Sequence, residues 1–261
     1  MRTPLTAVLA IGLALTLTGA AVPQAEAGTS KPTVVLVHGA FADASGWNAT
    51  IKGLQQAGYP VIAPANPLRD LPGDAAYVSS VLDTIEGPVV LVGHSYGGAV
   101  ISTAAVGHAN VKALVYVAAF APDKGESALT LTGKYEGSEL PQALLQRPYP
   151  GGVDLYIVPG DFRRVFAADV PASVTSVMAA AQRPASYAAL SIPSTEAAWT
   201  SIPSWFLVAG KDRAIPAAAQ RFMAKRAGAR TVFVPEASHA VMVSSPSQTI
   251  SIIKAAAHST T

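Results

Sequence analysis

Gly93-His94-Ser95-Tyr96-Gly97-Gly98 follows the apolar run Pro88–Val92 and precedes Ala99-Val100-Ile101. A G-x-S-x-G segment set between a strand and a helix turns the chain sharply and presents the serine hydroxyl at the turn. The helix N-terminus beginning near Tyr96 aims backbone N–H groups at charge developing beside Ser95. A lone hydroxyl is a weak nucleophile; it needs a base, and the base needs a carboxylate to orient it. Five histidines compete for the first role: His38, His94, His108, His239 and His258. His94 lies inside the turn with its side chain directed away from Ser95's reacting side, His108 ends a helix and His258 sits in the C-terminal tail. His239, in Pro235-Glu236-Ala237-Ser238-His239-Ala240, falls just beyond the last strand pattern, where open parallel sheets place their sites. Asp212, in Ala209-Gly210-Lys211-Asp212-Arg213, likewise follows a strand, and the order Ser95, Asp212, His239 is one in which such relays occur. Asp123, just past another strand, is the competing carboxylate. Lys211 and Arg213 beside Asp212 are expected to be solvated.

Developing negative charge also needs donors. Val35-Leu36-Val37-His38-Gly39-Ala40-Phe41 puts His-Gly at the end of the first strand, where Gly39 lets the chain turn so that the Ala40 N–H faces Ser95 beside the Tyr96 N–H. His38 is expected to pin this loop. No G-x-G-x-x-G or G-K-[ST] segment supports a nucleotide-binding alternative.

The elements that must position these residues follow from periodicity. Val/Leu/Ile runs at Thr33–Val37, Val61–Ala65, Val89–Val92, Val111–Ala118, Ser204–Val208 and Thr231–Val234 read as strands buried on both faces. Helical patterns over Asn48–Ala57, Ala75–Glu86, Tyr96–Val106, Ala217–Ala227 and Ser247–Ala257 alternate with them, which predicts βαβ units and a parallel sheet. Asp74 is a candidate N-cap for the second helix, and Gly58 and Gly228 stand where C-terminal glycines belong. Residues 121–203 break the rhythm, with nine prolines and no core-strand pattern. So long an interval is expected to carry its own elements, read as short helices at Ser138–Gln146, Phe162–Ala168, Ser173–Gln182 and Ala185–Leu190. Phe41, Tyr96, Phe162, Phe166 and Met178 could line a pocket there or serve as core, and Trp47 reads as a loop anchor.

Composition sets the outer bounds. The 261 residues are 13% charged with a net charge of +2, so no basic stripe suits nucleic acid. Zero cysteines exclude disulfides, thiolate metal sites and a cysteine nucleophile. Arg2, the apolar run Ala7–Leu17 and the triplet Ala25-Glu26-Ala27 have the layout of a secretory signal peptide cleaved after Ala27. The run is too short for a membrane span of about 20 residues, and no cysteine follows it to carry a lipid. The expected product is a secreted or periplasmic domain over 28–261 with no stable membrane anchor. Asn48-Ala49-Thr50 is a glycosylation sequon that matters only in a host that glycosylates.

With these parts assembled, the chain resembles the α/β-hydrolase superfamily over nearly all of its mature length. Within it, VLVHGAFADASGW, GHSYGG, AGKDRAIP and EASHAVMVSSP are similar to the branch of small plant methylesterases, hydroxynitrile lyases and bacterial carboxylesterases. The resemblance implies a six-stranded parallel sheet in the order 2-1-3-4-5-6, without the superfamily's two leading antiparallel strands, and a helical cap between the fourth and fifth core strands. It implies carboxylic-ester hydrolysis through an acyl-enzyme on a small-molecule ester, with no metal or organic cofactor. The lyases of this branch carry threonine where Gly39 stands and lysine where Ala240 stands, so cyanohydrin cleavage loses its polar apparatus here. Serine rather than aspartate at position 95 argues against relatives that attack with a carboxylate. Lactone, thioester or polyester cleavage and acyl transfer would use the same residues, and a non-catalytic binding protein on this scaffold is the rival from another class.

Overall fold

A computed structural model of the chain describes residues 31–260. The proposed signal peptide lies outside the described residues. The elements run β1 (Thr33–Val37), α1 (Asn48–Gln56), β2 (Val61–Ile62), α2 (Leu71–Leu82), β3 (Val89–His94), α3 (Tyr96–Ala104) and β4 (Val111–Val117) in the first half. Then come α4 (Ala128–Thr132), β5 (Leu144–Tyr149), β6 (Gly152–Ile157), α5 (Pro159–Phe166), α6 (Ala172–Ala181), β7 (Ala185–Ser186) and α7 (Tyr187–Ser191). The chain closes with β8 (Ser204–Ala209), α8 (Ala217–Arg226), β9 (Arg230–Val234), α9 (Val241–Ser244) and α10 (Pro246–His258).

Six strands form one sheet in the order β2-β1-β3-β4-β8-β9, parallel at every pairing, which is the expected 2-1-3-4-5-6 arrangement. Alternate side chains divide between the two faces. Val35, Val37 and Leu91 pack with α2, α3 and the cap, whereas Val34, Leu36, Val90 and Val92 pack with Trp47, Leu54 and α10. This double coverage is why the central strands read as unbroken apolar runs. The chain passes from β1 out to β2 and then back across to β3, so the order reverses between β1 and β3. Crevices open at such a switch point, beyond the strands' carboxyl ends. Among the described residues no helix is long and apolar enough to cross a membrane.

Several local expectations are corrected. β2 is two residues long rather than Val61–Ala65, because Pro64 cannot donate to a ladder and the strand lies at the sheet edge. α2 begins at Leu71 rather than Ala75 and ends at Leu82 rather than Glu86. Pro72 sits in its first turn, where a missing N–H costs nothing. Its cap is therefore Asp70, which accepts from the Gly73 N–H at 2.7 Å, and Asp74 is freed for another contact. The cap over 121–203 is not wholly helical. The predicted helix Ser138–Gln146 is a short 3-10 turn running into β5, which pairs antiparallel with β6 through a turn at Pro150-Gly151. Ala185 and Ser186 form β7 on the other edge of β6, and the helix expected from Ala185 starts only at Tyr187. Pro148 is tolerated because β5 is an edge strand of this three-stranded sheet. The remaining cap helices, α5 and α6, fall within a few residues of Phe162–Ala168 and Ser173–Gln182.

Candidate active site

Ser95 joins β3 to α3 with φ 54° and ψ −123°, a backbone region that β-carbon-bearing residues occupy only when the surroundings hold them there. Here the Ser95 N–H donates to the Val117 carbonyl, and its own carbonyl accepts from Gly98 and Phe120 at 3.0 and 3.1 Å. A Cβ at Gly97 would stand 2.4 Å from the Val37 carbonyl oxygen, so this position must be glycine for α3 to approach β1. A Cβ at Gly39 would stand 2.6 Å from the Ser95 Cβ and 2.7 Å from the His94 carbonyl oxygen. The first loop thus lies directly against the serine turn and has no room for the threonine of the lyases.

That closeness brings the two expected donors together. Ala40 and Tyr96 both line a small cavity with Ser95. Among the described residues no carbonyl accepts either N–H. The loop is held by His38, as expected: its Nδ1 donates to the Gly39 carbonyl at 2.9 Å, and its Nε2 accepts from the Asn66 N–H at 3.0 Å. Burial lowers the pKa of this imidazole below its ordinary value.

Asp212 and His239 meet at the ends of β8 and β9. The His239 Nδ1 donates to Asp212 Oδ2 at 2.7 Å, with both side chains essentially inaccessible. The other Asp212 oxygen accepts from the Ala214 and Ile215 N–H groups at 2.7 and 2.8 Å. Asp123, the competing carboxylate, belongs instead to a turn in which Oδ1 accepts from the Lys124 N–H. The hydrogen bonds of the His239 ring do not reach the Ser95 hydroxyl in this conformation. The two segments nonetheless adjoin. His94, next to Ser95, donates through Nε2 to the His239 carbonyl at 3.0 Å, and the two rings lie 4.7 Å apart. Burial first, and the neighbouring His239 second, hold the His94 pKa well below its ordinary value, so His94 is a neutral spacer between the two segments.

The cap secures the histidine loop. Phe166 packs edge-on against the His239 ring at 4.8 Å, its carbonyl accepts from the Ala240 N–H at 2.9 Å, and Asp169 accepts from the Ser238 hydroxyl. Phe162 backs Phe166, so both act as support for the histidine, while Met178 lies farther out on a groove. Trp47 is fully buried with its ring edge-on to His94, as a loop anchor should be. Arg213 is not simply solvated: it reaches Glu139 of the cap at 3.4 Å. Among the described residues no cluster of three or more His, Cys, Asp or Glu could hold a metal ion.

Two supporting residues escaped the sequence pattern. Gln220, fully buried on α8, donates to Asp212 Oδ2 at 2.8 Å and to the Ile215 carbonyl, and accepts from the Ala209 N–H. It thereby fixes the same carboxylate oxygen that accepts from His239. Asp74, also fully buried, accepts from the Tyr96 hydroxyl at 2.8 Å and from the Arg69 N–H at 3.0 Å. Burial raises the pKa of both Asp74 and Tyr96. Tyr96→Phe would leave a buried carboxyl oxygen without its donor. An orphaned buried acceptor of this kind costs roughly 1–3 kcal/mol, so about 2 kcal/mol of unfolding free energy is expected to be lost in urea titrations. An unchanged midpoint would show that Asp74 finds water instead.

The alpha/beta hydrolase family model matches residues 34–252. An alpha/beta hydrolase, nvfD, from Aspergillus novofumigatus is 28% identical over 87% of this chain and 97% of its own. A pyrethroid hydrolase from Sphingobium wenxiniae is 31% identical over 82% of this chain and 83% of its own. The crystal structure of polyneuridine aldehyde esterase superposes with a TM-score of 0.75 at 19% identity, covering 86% of this chain and 98% of that one, a likeness of fold. The parallel sheet, the strained serine turn and a match spanning most of the sequence agree, and the chain belongs to the alpha/beta hydrolase family.

Proposed function

We propose that the protein hydrolyses carboxylic esters through a Ser95, His239, Asp212 relay and an acyl-enzyme, and that it is exported, with the signal peptide removed after Ala27. One observation carries the reading: a buried Asp212–His239 pair at the sheet's carboxyl edge, beside a serine held in a strained turn that faces two unpaired N–H groups. The Nδ1 bond to Asp212 leaves the histidine's Nε2 free to accept a proton. The relay requires the Ser95 hydroxyl to meet that nitrogen when substrate is bound, a contact that in unliganded sites is commonly loose.

The chemistry follows from this arrangement. The Ser95 Oγ bonds to the acyl carbon as its proton passes to His239 Nε2. The carbonyl oxygen takes the electron pair and accepts from the Ala40 and Tyr96 N–H groups, each worth about 3 kcal/mol to such an oxyanion. Collapse breaks the bond to the alcohol oxygen, which takes the proton from His239. Water repeats the sequence on the acyl-enzyme and releases the acid. The relative named as a pyrethroid hydrolase supports this class of substrate.

The test is an intact-mass measurement of the protein purified from an exporting host, before and after a fluorophosphonate. The expected result is a chain starting at Gly28 that gains one label, placed on Ser95 by peptide mapping, with loss of p-nitrophenyl acetate hydrolysis. No label together with no esterase activity would leave a binding protein on a hydrolase scaffold as the better reading.

A further inference from the structure

Two cavities of very different size meet at Phe41. The inner one, about 50 Å³, is bounded by Ser95, Ala40, Tyr96 and Phe41 with the cap residues Leu129 and Leu140. The outer one, about 390 Å³, is a largely apolar groove bounded by Phe41, by Val174, Val177 and Met178 of α6, and by Met242 and Val243 of α9. Phe41 is the shared wall, held in place with φ 62° and almost no exposure.

Taking Ser95 as the nucleophile, as proposed above, the two halves of an ester cannot be placed interchangeably. The carbonyl oxygen must face the Ala40 and Tyr96 N–H groups, which line the inner cavity. The alcohol oxygen must receive its proton from His239, and the α9 residues Met242 and Val243, three and four positions beyond His239, line the groove rather than the inner cavity. The acyl half therefore points inward and the alcohol half points toward the groove. Size then selects. A dry cavity of about 150 Å³ admits benzene, so the inner one takes little beyond the methyl or ethyl of an acetyl or propionyl group. The groove falls in the roughly 300–1,000 Å³ range of sites for whole small molecules.

We propose that the preferred substrates are esters of short acids with bulky apolar alcohols, with Phe41 as the residue that enforces this polarity. The assignment is opposite to that of a methylesterase, which takes a bulky acid and a one-carbon alcohol.

Two isomers test it without changing total apolar content: 1-naphthylmethyl acetate carries the ring on the alcohol, and methyl 1-naphthylacetate carries it on the acid. The expected result is a kcat/KM ratio of at least about 100 in favour of the former, since only that isomer buries its ring while its carbonyl stays at the donors. In Phe41→Ala, where the wall is removed, the ratio is expected to fall at least tenfold through the disfavoured isomer's gain. Should that variant fail to fold, Val177→Trp on the exposed rim fills the groove, and is expected to lower turnover of 1-naphthylmethyl acetate at least fivefold more than that of p-nitrophenyl acetate. A ratio near one, a reversed ratio, or hydrolysis of p-nitrophenyl acetate with neither isomer cleaved would overturn the proposal while leaving the esterase reading intact. Absence of both fluorophosphonate labelling and p-nitrophenyl acetate hydrolysis would instead remove the esterase reading, and this proposal with it.

Discussion

Ser95→Ala and His239→Ala are each expected to lower kcat toward an alkyl ester by about 10⁴–10⁶-fold, and Asp212→Asn by about 10⁴-fold. The first two remove the nucleophile and the group that both takes and returns the proton. The double variant should be little worse than either single one, because the residues act as a unit. Asp212→Asn has a separate logic. The carboxylate accepts from Ala214, Ile215, Gln220 and His239, four donors converging on two oxygens. An amide must turn its NH₂ toward some of these donors, and whichever way it faces, two donors confront one another. Turning it toward His239 would place the imidazole proton on Nε2, where it blocks acceptance from Ser95. The loss should be smaller for p-nitrophenyl esters, whose departing phenolate needs no proton from His239, and that contrast separates failed proton return from misfolding. Steady-state rates and a fluorophosphonate labelling time course provide the check. Retention of alkyl-ester turnover within tenfold in His239→Ala would exclude the relay.

How far these residues were readable in advance depended on whether the signal was local. Ser95 sits in a segment whose glycines are dictated by backbone contact with β1, so the sequence at 93–98 carries the constraint itself. Asp212 and His239 are legible because they directly follow strands, and a parallel sheet gathers the loops at its carboxyl edge. Gln220 and Asp74 were not, since each is a polar residue in a helix whose burial is decided by a distant partner: Asp212 across eight residues and Tyr96 across twenty-two. Asp74 reads as a cap because it precedes an apolar pattern. Only the fold shows that Pro72 extends the helix backward and leaves that carboxyl facing Tyr96. The β5–β6 hairpin failed for a third reason. Leu144, Leu145 and Gln146 have helical composition, and the turn at Pro150-Gly151 that folds them against β6 weighs less in a periodicity count than it does in three dimensions. The partition at Phe41 lies beyond any local pattern, because it depends on α4 lining the cavity on one side of that residue and α6 the groove on the other.

Acidification from pH 8 to pH 5 is expected to lower the unfolding free energy, with up to about 2 kcal/mol of the loss coming from one buried histidine and the loss beginning near pH 6.5. Burial holds the pKa of His94 well below the ordinary value, so the folded protein keeps that ring neutral while the unfolded chain takes up a proton. The unfolded state then binds more protons, and stability must rise with pH across this interval. One such proton is worth at most about 1.4 kcal/mol per pH unit below 6.5, hence up to about 2 kcal/mol by pH 5. His38, lowered for the same reason, adds in the same direction. The carboxylates affect the lower end of the range. Asp74, raised by burial, works oppositely, binding a proton in the folded state before the unfolded one and so softening the decline as its folded pKa is crossed. Glu126, held below its usual value chiefly by Arg226 against the cost of burial, adds to the loss only once the pH approaches the ordinary carboxylate range. Between pH 6.5 and about 5 the histidines should therefore set the slope. Urea titrations at pH 8, 6.5, 5.5 and 5 measure it, and the His94 ring resonance should show no titration over that span in the folded protein. Stability that stays level down to pH 5, or a His94 resonance that titrates near 6.5, would mean that the ring is hydrated, and that the spacer holding the serine turn to the histidine loop is looser than its packing between Trp47, Phe166 and His239 requires.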